Sequence, residues 1–136
     1  MKLTIFTDGG ARGNPGPAAA GIVIKNEAGK ILAAYGEYLG EQTNNYAEYS
    51  ALISGLKKAK ELGATEVDCI LDSELVTKQM RLEYKVREAT LQKLFIQAYN
   101  TAAQLKKVSY KHTLRAGNKE ADKLVNEVID KKNSTR

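Results

Sequence analysis

Apolar and polar positions change rhythm several times along this chain, and each change marks an element. Residues 2–8 are rich in β-branched and aromatic side chains and read as a strand. It runs into the turn-forming stretch Gly9-Gly10-Ala11-Arg12-Gly13-Asn14-Pro15-Gly16-Pro17. Residues 18–24 and 31–39 read as two more strands, joined at Asn26-Glu27-Ala28-Gly29 by a hairpin turn. The first three strands therefore form an antiparallel meander. The period then becomes helical: Tyr49, Leu52, Leu56 and Ala59 recur at helix spacing, and Leu62-Gly63 supplies a stop. Val67, Cys69 and Leu71 alternate in a fourth strand over residues 66–71, and a short helix starts near Ser73. Leu91, Leu94, Phe95, Ala98, Ala102 and Leu105 mark the clearest amphipathic helix. Val108, Tyr110 and His112 alternate as a fifth strand. Asn118 is then expected to cap a last helix whose apolar face is Ala121, Leu124, Val125 and Val128.

The order βββ-α-β-α-α-β-α predicts an α/β fold: a five-stranded mixed sheet with helices on its faces. Right-handed crossovers place the fourth strand parallel to the first and beside it. Asp8 and Asp72 are then expected to end adjacent strands on one side of the sheet. With 136 residues and 43% hydrophobic content the chain suits a single domain, expected over 1–132 with a frayed tail at 133–136. No apolar run reaches the length of a membrane span, and the N-terminus enters a strand at once, unlike a signal peptide. Cys69 stands alone, which excludes internal disulfides and cysteine-based zinc sites and makes the cytoplasm the default location. A net charge of +5 favours a polyanionic partner.

Four acids, each in its own phrase, bring in the chemistry: Asp8 in Phe6-Thr7-Asp8-Gly9-Gly10, Glu48 in Thr43-Asn44-Asn45-Tyr46-Ala47-Glu48, Asp72 in Leu71-Asp72-Ser73, and Asp122 in Asn118-Lys119-Glu120-Ala121-Asp122. Each has an ordinary explanation. Asp8 suits a turn, Glu48 a capping box with Asn45, Asp72 a helix N-cap, and Asp122 a solvated face with lysine neighbours. Together they fit a different one. Carboxylates gathered without cysteine or clustered histidine form an oxygen-ligand cage, suited to Mg²⁺ or Mn²⁺. The glycine-rich loop lacks the Gly-Lys-Ser/Thr ending of a P-loop and leads into a strand; it suits close approach of a polynucleotide backbone, with Asn14 as a polar reader.

These four blocks, with His112…Arg115…Asn118…Ala121-Asp122 as the last, resemble type 1 ribonuclease H over nearly the whole chain. The resemblance implies the ribonuclease H-like fold with sheet order 3-2-1-4-5, strand 2 antiparallel, and endonucleolytic cleavage of RNA in RNA–DNA hybrids. It makes Asp8 the carboxylate that bridges two Mg²⁺ ions, with Mn²⁺ as substitute. Glu48 and Asp72 complete the ion near the leaving oxygen, and Asp122 holds the ion that activates water. Cleavage then leaves a 5′-phosphate and a 3′-hydroxyl. His112 resembles the mobile histidine that aids proton transfer and product release, with Arg115 as its competitor. Gly9, Gly10, Asn14, Thr43, Asn44 and Asn45 are the expected substrate contacts, the amides reading 2′-hydroxyls that only RNA carries. The chain lacks tryptophan and has only Met80 to Ala89 where better-known members carry a basic protrusion, though Lys78, Arg81, Lys85, Arg87 and Lys93 keep some charge. It is expected to be the compact form, without a separate hybrid-binding domain, acting as a monomer with no obligatory protein partner. Two other readings compete: a different metal-dependent nuclease on the same scaffold, and a non-catalytic hybrid-binding module.

Overall fold

The computed structural model describes residues 1–134. Five strands form one mixed sheet in the order β3-β2-β1-β4-β5. They are β1 (Lys2–Ala11), β2 (Gly16–Asn26), β3 (Ile31–Gln42), β4 (Glu66–Leu71) and β5 (Lys107–His112). The helices are α1 (Asn44–Glu61), α2 (Glu74–Met80), α3 (Ala89–Ala102) and α4 (Lys119–Ser134), with a 3-10 turn over Arg115–Asn118 before α4. β2 runs antiparallel to β1 and β3, while β1, β4 and β5 are parallel. The sheet order, the parallel β1–β4 pairing and the element order are as the sequence predicts.

Alternation along the central strands divides the core into two layers. Leu3, Ile5, Ala20, Ile22 and Ile24 pack under α1, against Tyr49, Leu52 and Leu56. Ala19 faces the other way and packs with Val125 and Ile129 of α4. Fully burying each Leu or Ile side chain contributes roughly 1.5–3 kcal/mol, so the α1 face supplies most of the hydrophobic stabilisation. Leu105 belongs to this core but lies past the end of α3, in the turn that leads to β5. No helix among the described residues is long and apolar enough to cross a membrane.

Three local expectations change. β1 does not end at Asp8 but continues to Ala11, paired with β2 through Asp8↔Gly21, Gly9↔Ala20 and Gly10↔Ala19. Glycine residues extend a strand poorly by themselves; here the ladder with β2 overrides propensity. Asn118 does not cap α4: it is buried, and its Nδ2 donates to the Thr7 carbonyl at 2.8 Å. Asn133 and Ser134 belong to α4 rather than to a frayed tail, and the remainder of that expected tail, residues 135 and 136, lies outside the described residues. Cys69 is buried and unbonded, as a lone cysteine in a core strand should be.

Two glycines set how closely the helices approach. A Cβ on Gly9 would lie 2.2 Å from the Ala47 carbonyl in α1, and one on Gly21 would lie 2.2 Å from the Ala121 carbonyl in α4. Gly10, next in β1, would place its Cβ 3.5 Å from Val125 Cγ1, an ordinary contact. Gly9→Ala should therefore destabilise the fold by about 2–4 kcal/mol, because backbone rather than a flexible side chain must yield. Gly10→Ala should be close to neutral. Urea unfolding of both variants checks the contrast, and equal midpoints would show that α1 does not rest on Gly9.

Candidate active site

Two of the four acids, Glu48 and Asp72, are freed from a capping role by a neighbour that performs it. Thr43 is the N-cap of α1, its Oγ1 accepting from the Tyr46 N–H at 3.1 Å, so Glu48 is not paired with Asn45 in a capping box. Ser73 is the N-cap of α2, its Oγ accepting from the Val76 N–H at 3.2 Å, so Asp72 caps nothing. Asp8 sits inside a strand rather than in a turn. Asp122 lies in the first turn of α4, half-buried, and its Oδ1 is 3.5 Å from Arg115 Nε.

Topology brings them together. Parallel pairing of β1 with β4 stops at Thr7↔Leu71, so from Asp8 onward that edge of β1 is open. Asp72 follows directly as the chain leaves β4, and Glu48 is carried in by the helix resting on Gly9. One carboxylate oxygen from each of Asp8, Glu48 and Asp72 lies within 4.8 Å of the others. Asp122 lines the same cavity, near enough to Asp8 to act on its ionisation. A cavity of about 480 Å³ opens over this group, lined also by Gly9, Gly10, Ala11, Arg12, Asn44, Arg115 and Asn126.

The electrostatics are unfavourable for the protein alone. Asp8 is 4% exposed, and its carboxyl is pushed up to about 8 from 3.8, first by burial, then by the charge of Asp72 and by Asp122. Glu48, 7% exposed, is raised by burial and by Asp8 and Asp72, against a smaller opposing hydrogen bond from the Gly9 backbone. Its Oε2 is buried without a hydrogen-bond partner. Such an orphaned oxygen in a crowd of acids is what a hard divalent cation would satisfy. The donor set is all carboxylate, so the residues present fit Mg²⁺ or Mn²⁺.

Asn118 ties the two halves of the site together. Its bond to the Thr7 carbonyl, one residue before Asp8, meets an acceptor at the end of the β1–β4 ladder. That bond fixes the start of α4, and with it Asp122, against β1.

The other expected residues divide. Arg115 lines the cavity, whereas His112 is exposed at the end of β5, outside the lining. Asn14 Oδ1 accepts from the Asn44 N–H at 3.0 Å, and Asn44 Oδ1 accepts from the Ala11 N–H at 2.8 Å. These amide oxygens brace the glycine loop on the start of α1, leaving the NH₂ groups as donors for another molecule. Of the expected contacts, Gly9, Gly10 and Asn44 line the cavity; Asn14, Thr43 and Asn45 lie outside that lining. Arg12 and Asn126 line it too and were not anticipated. The signal in the sequence was the spacing 122, 126, 130, which puts three polar side chains on one helix face.

The comparisons with known proteins agree with this geometry. The sequence model of the reverse transcriptase-like family matches residues 6–128. The bifunctional protein Rv2228c of Mycobacterium tuberculosis is 44% identical over 131 residues, which are 96% of this chain and 36% of that protein. The ribonuclease HI of Halobacterium salinarum is 38% identical over 129 residues, 95% of this chain and 65% of the relative. The chain thus spans about a third of the mycobacterial relative and just under two thirds of the halobacterial one. Among solved structures, the halobacterial RNase H1 superposes with a TM-score of 0.94 at 37% identity, covering 96% of this chain and 99% of that one. LC11-RNase H1 in complex with an RNA/DNA hybrid superposes with a TM-score of 0.90 at 44% identity, covering 95% and 97%. With the sheet order and the acidic cluster already in place, the chain belongs to the reverse transcriptase-like family, in the compact type 1 ribonuclease H form of its fold.

Proposed function

We propose that this chain is an endonuclease that hydrolyses the RNA strand of RNA–DNA hybrids, leaving 5′-phosphate and 3′-hydroxyl ends. The observation that carries the reading is the convergence of four carboxylates, two of them buried, on one open edge of β1 in a basic chain. The relatives named for ribonuclease H, and a hybrid complex among the structural neighbours, support the choice of substrate.

Asp8, Glu48, Asp72 and Asp122 would hold two Mg²⁺ ions, with Mn²⁺ as substitute. Asp8 is grouped with Glu48 and Asp72 and close enough to Asp122 for that acid to raise its pKa, so its carboxylate is the one that would be shared between the ions. When bound, such ions stabilise the entering and departing oxygens of an in-line phosphoryl displacement. The protein's own part is to hold four acids in a geometry they would not choose, and to orient the strand. Asn44, which lines the cleft, and Asn14, bonded to it, keep amide donors suited to 2′-hydroxyls and sugar edges of RNA, and Asn45 would join them. All four acids come from one copy of the chain, which supports a monomer as the working unit.

Between His112 and Arg115, position favours Arg115. An arginine does not give up its proton at physiological pH, so its contribution is electrostatic rather than acid–base. Its ion pair with Asp122 is solvent-exposed and weak, so the guanidinium is free to turn to a phosphate and escort the product.

A labelled hybrid assayed with Mg²⁺, Mn²⁺, Ca²⁺ or chelator tests the proposal. Turnover is expected with the first two ions, none in excess chelator, and binding without efficient cutting in Ca²⁺, whose looser geometry does not organise the attack. Cleavage spread into an all-DNA duplex would reassign the chain as a general nuclease.

The raised carboxyls predict a pH dependence of metal-free stability. A group whose folded pKa is raised favours the protonated form in the fold. The contribution of these carboxyls to stability should therefore be full below the ordinary carboxylate range and be lost as pH rises from 3.8 towards about 8. Asp8→Asn should flatten that fall and raise Tm at the alkaline end, while hybrid cleavage drops by orders of magnitude. An Asp8→Asn protein that melts earlier and still cuts would make the acid structural.

Arg115→Ala should lower kcat more than it raises KM, and His112→Ala should change either by less than about threefold. Steady-state kinetics on one hybrid separates the two, and the reverse pattern would restore the histidine.

A further inference from the structure

Arg12 lies in the glycine loop, where a residue with no catalytic history would be taken for a solvated charge. Its position is more constrained than that. The backbone N–H donates to the Pro17 carbonyl at 2.9 Å, and its own carbonyl is so close to Gly16 that a Cβ there would lie 2.0 Å away. The side chain then crosses to α4. Nη1 pairs with Asp130 Oδ1, and Nη2 donates to Asn126 Oδ1 at 3.3 Å. The side chain remains 41% exposed and lines the cavity that holds the carboxylates.

The row on α4 explains the arrangement. Asp122, Asn126 and Asp130 recur every four residues on one helix face. Asp122 holds Arg115 and the other two hold Arg12. Two anchors eight residues apart are separated by roughly 12 Å along the helix axis. Arg12 and Arg115 are the only cations lining this cavity among the described residues. A polyanion that enters a cleft of four acids meets repulsion everywhere except at these two points. Two of Arg12's five N–H donors face α4, which leaves the rest of a planar fork matched to phosphate oxygens. An exposed ion pair contributes little to stability, so holding the fork still is the larger effect of Asp130 and Asn126.

We propose that Arg12 grips a backbone phosphate of the strand that crosses the carboxylates, at the opposite end of the Asp122–Asp130 row from Arg115. The inference rests on the reading of the chain as a hybrid nuclease, and the test keeps the two apart. Binding of a fluorescent RNA–DNA hybrid is measured by anisotropy in chelator, where nothing is cut, across a range of salt. Arg12→Ala should weaken binding roughly three- to tenfold at ~100 mM salt and reduce the salt slope by about one. Lys30→Ala, which removes the same charge at the exposed β2–β3 hairpin, should leave the slope unchanged. Asp130→Asn leaves Arg12 charged and should hold or raise affinity. A hybrid with single neutral methylphosphonate linkages walked along the RNA strand should show one position that weakens the unaltered protein but not Arg12→Ala.

If Arg12 is only a strut between loop and helix, Arg12→Ala and Asp130→Asn will lower Tm together and leave affinity and slope untouched. That result overturns the inference, as does an equal loss in Lys30→Ala. Should the unaltered chain neither bind nor cut hybrid, the functional reading falls and takes this one with it. Should it bind and cut while Arg12→Ala matches it in affinity and slope, only the Arg12 inference falls.

Discussion

The close seating of helix backbone on glycine at the centre of the sheet is the constraint from which the rest follows. Gly9 admits α1 and Gly21 admits α4, and Gly21 is the β2 partner of Asp8. Any side chain at these two positions would lift a helix off the sheet. Glu48 and Asp122 ride on those helices, so the spacing of the acidic group is set by what is missing from two residues that carry no charge. Buried apolar residues on both helices hold the seating in place.

That seating works against the electrostatics. Asp8 and Glu48 are buried beside each other and beside Asp72, and a free oxygen of Glu48 has no partner. A buried charge without compensation is among the most expensive features a fold can carry. The hydrophobic core tolerates it because the ladder around β1 and the Asn118 bond leave the chain no cheaper route past the end of β4. Local cost of this kind, held by a rigid surround, is where function is expected to lie. The same logic extends outward: the glycine loop is braced through Asn14 and Asn44, and α4 carries a row of polar residues that hold cations at the cleft's rim.

Much of this was legible. Strand composition between turn signals gave the first three strands, alternation gave the last two, helical spacing gave the longer helices, and the crossover rule placed β4 beside β1. The competing explanations for the acids were settled by their neighbours. Nothing local distinguished Thr43 from Asn45 as the cap of α1, or Asp72 from Ser73 as the cap of α2, because all four are good capping residues. Asn118 was misread for the same reason. As an Asn ahead of a helix it is a plausible cap, and only the nearby Thr7 carbonyl, 111 residues away in sequence, claims its amide.

By itself the sequence determined the element order, the opening meander with β4 beside β1, and which acids stand at the ends or entrances of elements, because those follow from periodicity and chain connectivity; the full sheet order was implied by the family resemblance. The tertiary structure decided where those acids meet. The extension of β1 through Asp8 to Ala11, the choice of Arg115 over His112 at the cleft and the reach of Arg12 to α4 all depend on pairings between segments distant along the chain. A hydrogen-bond ladder, a helix resting on a glycine and an ion pair across a cleft are properties of two surfaces in contact. No stretch of residues read alone contains the second surface.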